Sequence, residues 1–344
     1  MPLPDRFRQL WHDLVAFGPH ADAHWVAARA GVTLAVPLVL LWSIDRLDLT
    51  LAATFGAFTA LYGRTHSHRS RTAMQATAGA VLVSAVVLGT AVGTSEHRAW
   101  LSVAAMVLVA LVAPVVSRAC AWHPPGALFP VFAVGATSGH ASTVHDVVLA
   151  LLVSTSTVVL ALVVGRVGLL HGPPRPHPWR VDLRGTLASP RTREEVAVTT
   201  LAVGVAAVLA TALGLGHAYW AAVGGAAATS GPTAGARVAR AVQRSVGTLM
   251  GVVVAAGLLA LEPSAAVTIL LAIALQVVAE LLVGRNYAIA LVAVTPLALL
   301  MVHLAVPTTT AELVTDRIVD TVVGAGVGTL VVVGAALVAR RRRR

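Results

Sequence analysis

The chain has 344 residues, of which 57% are hydrophobic and only 12% are charged, and its mean hydropathy is +0.82. A soluble domain of this composition would expose very large apolar surfaces to water, so the composition excludes that class and indicates a polytopic membrane protein. The net charge of +10 comes from 25 basic residues, all of them arginine, which lie in short gaps between apolar runs. That distribution is typical of membrane topology signals and of contact with anionic lipid, and it argues against nucleic acid as a partner.

Twelve apolar segments are candidates for crossing a bilayer, which requires roughly 20 mostly apolar residues per helix. The first, from about Trp25 to Ile44, has no small-residue cleavage site after it and is therefore not interpreted as a signal peptide. The candidates are 25–44, 48–62, 72–94, 99–117, 124–139 and 146–168, followed by 195–215, 217–230, 239–261, 264–283, 286–304 and 314–339.

An internal repeat divides these segments into two sets of six. Residues 49–83 align with residues 217–251 at a shift of 168, which pairs Gly56 with Gly224 and Gln75 with Gln243. Six spans per copy is an even number, so the two copies would run parallel, as in many transporters whose binding sites lie between repeats. The predicted fold class is an all-α polytopic membrane protein with about twelve transmembrane helices arranged as two parallel six-helix repeats.

Arginine placement supports this count. If both termini and every even-numbered loop face the cytoplasm, that side holds 21 of the 25 arginines, and the outer side holds only Arg46, Arg98 and Arg317. The predicted organisation is a cytoplasmic segment 1–24, a first repeat 25–169, a Pro- and Arg-rich cytoplasmic linker 170–193, a second repeat 194–339 and a cytoplasmic arginine tail 340–344.

Short or broken spans at matching positions in two repeats predict a transport site. Spans 2 and 8 are short and rich in Gly, Ala and Thr, and spans 5 and 11 contain Pro130 and Pro296. Close helix packing is the alternative explanation for any single glycine in these spans.

Basic residues begin spans 3 and 9, where a cytoplasmic vestibule would narrow. Arg71 and Gln75 share one helix face, as do Arg240 and Arg244, with Gln243 beside them. Guanidinium groups bind planar carboxylates in a bidentate manner, so an organic anion is the predicted ligand. Topology combined with lipid headgroup binding would explain the same residues without a substrate.

Acidic residues within spans are candidates for coupling or gating, because a charge in the bilayer interior is costly and often functional. Glu280 lies about one turn from the cytoplasmic end of span 10, where it could relay protons or form an ion pair with Arg285 or a loop arginine. Asp316, Arg317 and Asp320 share one face at the start of span 12, with Asp146 as the counterpart of Asp320. An outer salt bridge and an outer gate both fit that second group.

No motif indicates a cofactor, a metal centre or an enzyme. The single Cys120 excludes an internal disulfide, and the His66-x-His68 pair has no acidic or cysteine ligand beside it. Motifs for nucleotide phosphate, zinc proteases and serine hydrolases are absent.

The second half resembles the fusaric acid resistance protein-like (FUSC) family. The resemblance rests on AYWAA at 218–222, RAVQRSVGTLMG at 240–251, NYA at 286–288, TPL at 295–297 and RIVDTVVG at 317–324. It implies a transporter of the bacterial inner membrane, often linked to efflux of aromatic carboxylic acids. A related plant family, the aluminium-activated malate transporters, conducts organic anions. On that analogy the candidate residues are Arg240, Gln243, Arg244, Tyr287, Arg317 and Asp320.

We therefore expect an exporter of small organic anions, possible proton coupling, and anionic lipid at the cytoplasmic arginine loops. A passive organic-anion channel and a non-transporting scaffold that binds anionic lipid are the alternative functions. Homo-oligomerisation is left open by the sequence.

Overall fold

The computed structural model describes residues 16–64, 66–167, 179–229, 234–306 and 308–341, and every regular element in these ranges is helical. The α-helices are α1 (Ala23–Ser43), α2 (Thr50–Ala57), α3 (His68–Gly93), α4 (Arg98–Ala119), α5 (Leu128–Ser138), α6 (Val144–Val164), α7 (Leu183–Ala188), α8 (Pro190–Ala212), α9 (Tyr219–Ala228), α10 (Ala234–Ala260), α11 (Ala265–Leu282), α12 (Tyr287–Ala305) and α13 (Thr310–Arg341).

Nine of the described helices are long and apolar enough to cross a membrane: α1, α3, α4, α6, α8 and α10 to α13. Leucine and valine side chains such as Leu40, Leu152 and Leu330 are exposed on their outer faces. In a water-soluble fold these side chains would be buried, whereas a lipid solvent explains their exposure. The protein is therefore a multi-pass integral membrane protein.

The three remaining predicted spans form helices that are too short for a full crossing. Span 2 is a broken helix, in which 3₁₀ turns at Leu47–Leu49 and Phe58–Leu61 flank the eight residues of α2. Span 5 shortens to the 11 residues of α5, and span 8 to the 10 residues of α9. The expectation of twelve full transmembrane helices is therefore not met by these three elements, because each is broken or ends within about three turns.

The predicted linker contains more regular structure than its prolines suggest. Asp182 accepts a hydrogen bond from the Gly185 amide, which caps the short helix α7. Ser189 then precedes Pro190, which occupies the first helical position of α8, where its missing N–H costs nothing. Residues 168–178, which hold most of the predicted linker prolines, lie outside the described residues.

Helix packing follows the same pattern in both halves of the chain. The second helix packs on the sixth (α2 on α6, α9 on α13), and the third packs on the fifth (α3 on α5, α10 on α12). Between the halves, α1 packs on α11 and α4 on α8, while α2 contacts α12 and α9 contacts α5. The second and fifth helices of each half, α2, α5, α9 and α12, thus meet in the middle of the molecule, a region called here the seam.

Candidate functional site

A cavity with a free volume of about 70 Å³ lies in the seam. A single water needs roughly 10–15 Å³ of such space, so the cavity accommodates several waters. Its wall combines apolar side chains of α2, α5, α9 and α12 with two guanidinium groups, those of Arg244 on α10 and Arg317 on α13.

Four phenylalanines form the wall contributed by the first half. Phe55 stacks edge-on against Phe132 with 5.0 Å between ring centroids, and Phe58 lies 5.2 Å from Phe129. All four rings line the cavity. This wall was not predicted, although its signal is present in the sequence. Phe55 and Phe58 are spaced i,i+3, as are Phe129 and Phe132, and that spacing places two rings on one face of each helix.

The two cavity arginines are buried, and neither pairs with a carboxylate in the described part of the chain. Arg244 is 6% exposed and donates a hydrogen bond from Nη1 to the Tyr287 hydroxyl at 3.0 Å. Arg317 is 4% exposed, and its guanidinium carbon lies 4.9 Å from the centroid of the Trp220 ring. Among the residues the structure describes, no ion pair within 4.0 Å involves either arginine. Asp320 lies one turn from Arg317 but outside that distance, and the described lining of the cavity contains no carboxylate. Buried cations without an ion-pair partner are costly, so the cavity favours an anion.

Arg240 and Tyr287 lie beside Arg244, and Tyr287 contacts both arginines. The Arg240 guanidinium carbon lies 4.2 Å from the centroid of the Tyr287 ring, whose hydroxyl accepts from Arg244. Gln243 is half-buried on the same helix. The structure thus brings Arg240, Arg244 and Tyr287 together, while their binding of a substrate stays a prediction. It also places Arg317, which the sequence assigned to the outer end, on the same cavity as Arg244.

Arg71 and Gln75 lie elsewhere and are engaged by backbone. Arg71 is buried and donates to the carbonyls of Gly63 (3.2 Å), His66 (2.8 Å) and Gly165 (3.2 Å). Gln75 donates from Nε2 to the Tyr62 carbonyl at 3.4 Å. Neither residue lines the cavity. Both stabilise the loop that follows span 2 by donating to its carbonyls.

Glu280 forms a buried ion pair with a loop arginine, one of the two roles the sequence left open. Arg64 Nη1 lies 2.5 Å from Glu280 Oε2, and Arg64 Nη2 donates to the Glu280 carbonyl at 3.0 Å. Arg29, buried on α1, donates to the Arg64 carbonyl at 3.2 Å. Arg285, the other expected partner, instead lies over the Phe17 ring. This ion pair joins the loop after α2 to α11, and therefore the two halves of the chain.

The predicted salt bridge among Asp316, Arg317 and Asp320 is not present in the described residues. Asp316 accepts from His217 Nδ1 at 2.7 Å, and both carboxylate oxygens of the fully buried Asp320 lack a hydrogen-bond partner. Asp146 forms a capping box with Thr143 at the start of α6.

Asp146 also lines a second pocket, of about 140 Å³, which we call the polar pocket. Asp48, Thr90, Ser142 and His140 contribute further polar groups, and Leu51 lines both this pocket and the cavity. Burial lowers the pKa of His140 below its ordinary value and outweighs Asp146, which acts in the opposite direction. The imidazole is therefore neutral at physiological pH. Asp48 is paired with Arg46 at 2.7 Å, so Asp146 is the pocket carboxylate without an ion pair among the described residues.

The fold and its interior cavity define a multi-pass integral membrane protein with an arginine-lined site between its two halves. Residues 205–331, from α8 to α13, match the family model described as fusaric acid resistance protein-like. The family resemblance read from the sequence is thereby confirmed for this segment, which contains Arg244 and Arg317.

One curated relative is the uncharacterized membrane protein YvaC of Bacillus subtilis (strain 168), which is 36% identical over 94 residues. The match covers 27% of this chain and 15% of YvaC. No solved structure matches the chain.

Proposed function

We propose that this protein is a transporter of the bacterial inner membrane that exports small organic anions, with aromatic carboxylates as the substrate class. One observation carries the proposal: two buried guanidiniums, neither of them paired with a carboxylate of the described residues, line a seam cavity whose opposite wall consists of phenylalanine rings. A carboxylate would supply the missing counter-charge, and an aromatic ring would pack edge-on or offset against the phenylalanines.

In this proposal the twelve helical segments form two parallel repeats. The equivalent helix contacts within each half, and the exchanged contacts between the halves, support that arrangement. Transport sites of repeat transporters lie near the bilayer midplane, where broken helices meet. The broken span 2 and the proline-containing helix α12 both contribute to the cavity, which fits such a site.

Arg244 and Arg317 are the proposed carboxylate ligands. Arg240 and Tyr287 orient Arg244, and Gln243 borders them on α10. Arg71 and Gln75 take a structural role, since a ligand would have to displace the backbone carbonyls that their donors already engage.

The polar pocket is the proposed outer exit, separated from the cavity by Leu51. Its acidic residues, including Asp146, would repel an anion that has left the arginines and so disfavour its return. The arginine distribution supports cytoplasmic termini, and the cytoplasmic arginines that remain exposed are proposed to contact anionic lipid headgroups.

Uptake of radiolabelled benzoate into inverted membrane vesicles tests the proposal. We expect saturable accumulation that falls at least about tenfold in Arg317→Gln, because charge-assisted hydrogen bonds contribute roughly 1.5–3 kcal/mol each. Arg184→Gln, a change of an exposed arginine on α7, is the matched control and should retain full uptake. Uptake that is identical in vesicles lacking the protein would refute transport.

The passive channel is distinguished by electrical recording in planar bilayers. A channel would give unitary benzoate currents, in which many ions pass during each opening. Such currents would contradict a carrier mechanism. A lipid-binding scaffold predicts neither current nor uptake.

A further inference from the structure

Asp320 is a buried carboxyl group whose environment calls for an explanation. The residue is 0% exposed, and neither carboxylate oxygen has a hydrogen-bond partner among the residues that the structure describes. More than nine in ten buried polar groups in proteins are satisfied, and acids inside a membrane segment are costly enough to be functional by default. A carboxyl group without donors is stabilised by a proton, since burial penalises the charged form.

The groups around Asp320 connect it to the anion site. On its own helix, Arg317 lies one turn earlier and lines the cavity, while Asp316 is engaged by His217 at 2.7 Å. The facing elements contribute the buried Tyr219 on α9 and Arg244 on α10, while Tyr287 on α12 lies beyond, against Arg244. Helix α8 also packs against α13. Its charged residues lie only in its first two turns, toward the opposite end of the bundle, and are Arg191, Arg193, Glu194 and Glu195.

An ionised Asp320 and a bound anion would therefore face the same guanidinium. Two like charges several ångströms apart in a partly buried site repel each other enough to change affinity on the order of tenfold or more. A protonated Asp320 removes that repulsion and leaves Arg317 free for the ligand.

We propose that Asp320 is a proton site linked to anion binding, so that each organic anion bound at Arg244 and Arg317 is accompanied by one proton on Asp320. This inference rests on the proposed function and adds its coupling chemistry. A monovalent carboxylate then crosses as an electroneutral acid equivalent. Export runs down the substrate's own gradient and removes one acid equivalent from the cytoplasm with each molecule.

Binding measured by calorimetry on the purified full chain in lipid nanodiscs tests the linkage. The probe is benzenesulfonate, which stays ionised throughout the range from pH 6 to pH 9 and so contributes no proton of its own. We expect the dissociation constant to rise at least about tenfold from pH 6 to pH 9. Titrations at the upper end of that range, in two buffers of different ionisation enthalpy, should show net uptake of protons when the anion binds.

Substitutions assign the proton to a residue. Asp320→Asn should bind tightly at every pH without proton uptake, whereas His217→Gln and Glu280→Gln should keep a pH-dependent affinity. Asp316→Asn removes a like charge one turn from Asp320, so it should shift the pH dependence and still take up protons. Asp320→Glu retains a titratable carboxyl and should keep proton uptake, which preserves the test if Asp320→Asn does not fold.

Three outcomes would overturn the inference: pH-independent binding by the wild type, pH dependence that survives in Asp320→Asn, or its loss in His217→Gln or Glu280→Gln. Absence of benzenesulfonate binding at every pH is a different failure, because it removes the anion site itself and with it the proposed function.

Discussion

The buried guanidinium of Arg71 is engaged by backbone carbonyls and stabilises the fold. Its donors reach three carbonyls, those of Gly63, His66 and Gly165, which belong to the loop after span 2 and to the end of α6. Carbonyls near chain turns lack helical partners, so a side chain that satisfies several of them fixes the local backbone. Arg244 differs, because its Nη1 donates to the Tyr287 hydroxyl and its guanidinium borders a cavity.

Arg71→Ala is therefore expected to lower stability and to leave anion affinity unchanged. Leaving buried carbonyls without donors costs about 1–3 kcal/mol each, so the free energy of unfolding should fall by at least about 2 kcal/mol. Thermal unfolding in detergent and the benzenesulfonate dissociation constant measure the two quantities. Arg69→Ala, at an exposed position on the same helix, is the control and should change neither. A Tm equal to that of the wild type, together with tenfold weaker binding, would instead identify Arg71 as a ligand residue.

At the scale of helices, two glycines allow the short spans to approach their neighbours. A Cβ on Gly56 would lie 2.7 Å from the Ser154 carbonyl oxygen on α6. Gly224, its equivalent in the alignment, lies against Gly324 on α13. A Cβ on Gly224 would lie 3.0 Å from the Gly324 Cα. Both contacts join the second helix of a half to the sixth, so close packing explains these glycines and no ligand contact is needed.

Gly56→Ala should destabilise the protein by about 1–3 kcal/mol, because the neighbouring group is backbone and cannot rotate away. Gly257→Ala is the matched control: this helical glycine on α10 has open space around its Cβ position, and alanine is the better helix former. We expect a lower Tm for the first variant and an equal or higher Tm for the second. An equal change in Tm for the two variants would contradict close packing at Gly56.

The positions of the helices could be predicted from the sequence because the bilayer imposes a minimum apolar length. Each of the twelve apolar segments coincides with a helix, and the weak segments 48–62, 124–139 and 217–230 are the ones that shorten. The partners of individual side chains could not be predicted. Arg317 and Arg244 meet only after α10 and α13 pack together, and the pairing of Glu280 with Arg64 depends on contact between the halves.

At the scale of the whole molecule, the cavity and the polar pocket lie in series along the seam. Leu51 borders both, and Val302 on the cavity side lies one turn from Ala305 on the polar-pocket side of α12. Charge changes along this line, from two arginines at the cavity to Asp48 and Asp146 at the polar pocket. An anion held at the first location would be released from the second, so the series defines a direction for export if the polar pocket faces outward.

Sided thiol labelling tests that orientation. Cys120 is the single cysteine and is buried, so Cys120→Ala provides a cysteine-free background. In that background Ser142→Cys places a thiol in the polar pocket, and Arg184→Cys places one at an exposed position on α7. A charged, membrane-impermeant thiol reagent should modify Ser142→Cys in intact spheroplasts and Arg184→Cys in inverted vesicles. Modification of both variants in inverted vesicles would place the polar pocket on the cytoplasmic face, and the proposed exit would then be an entrance.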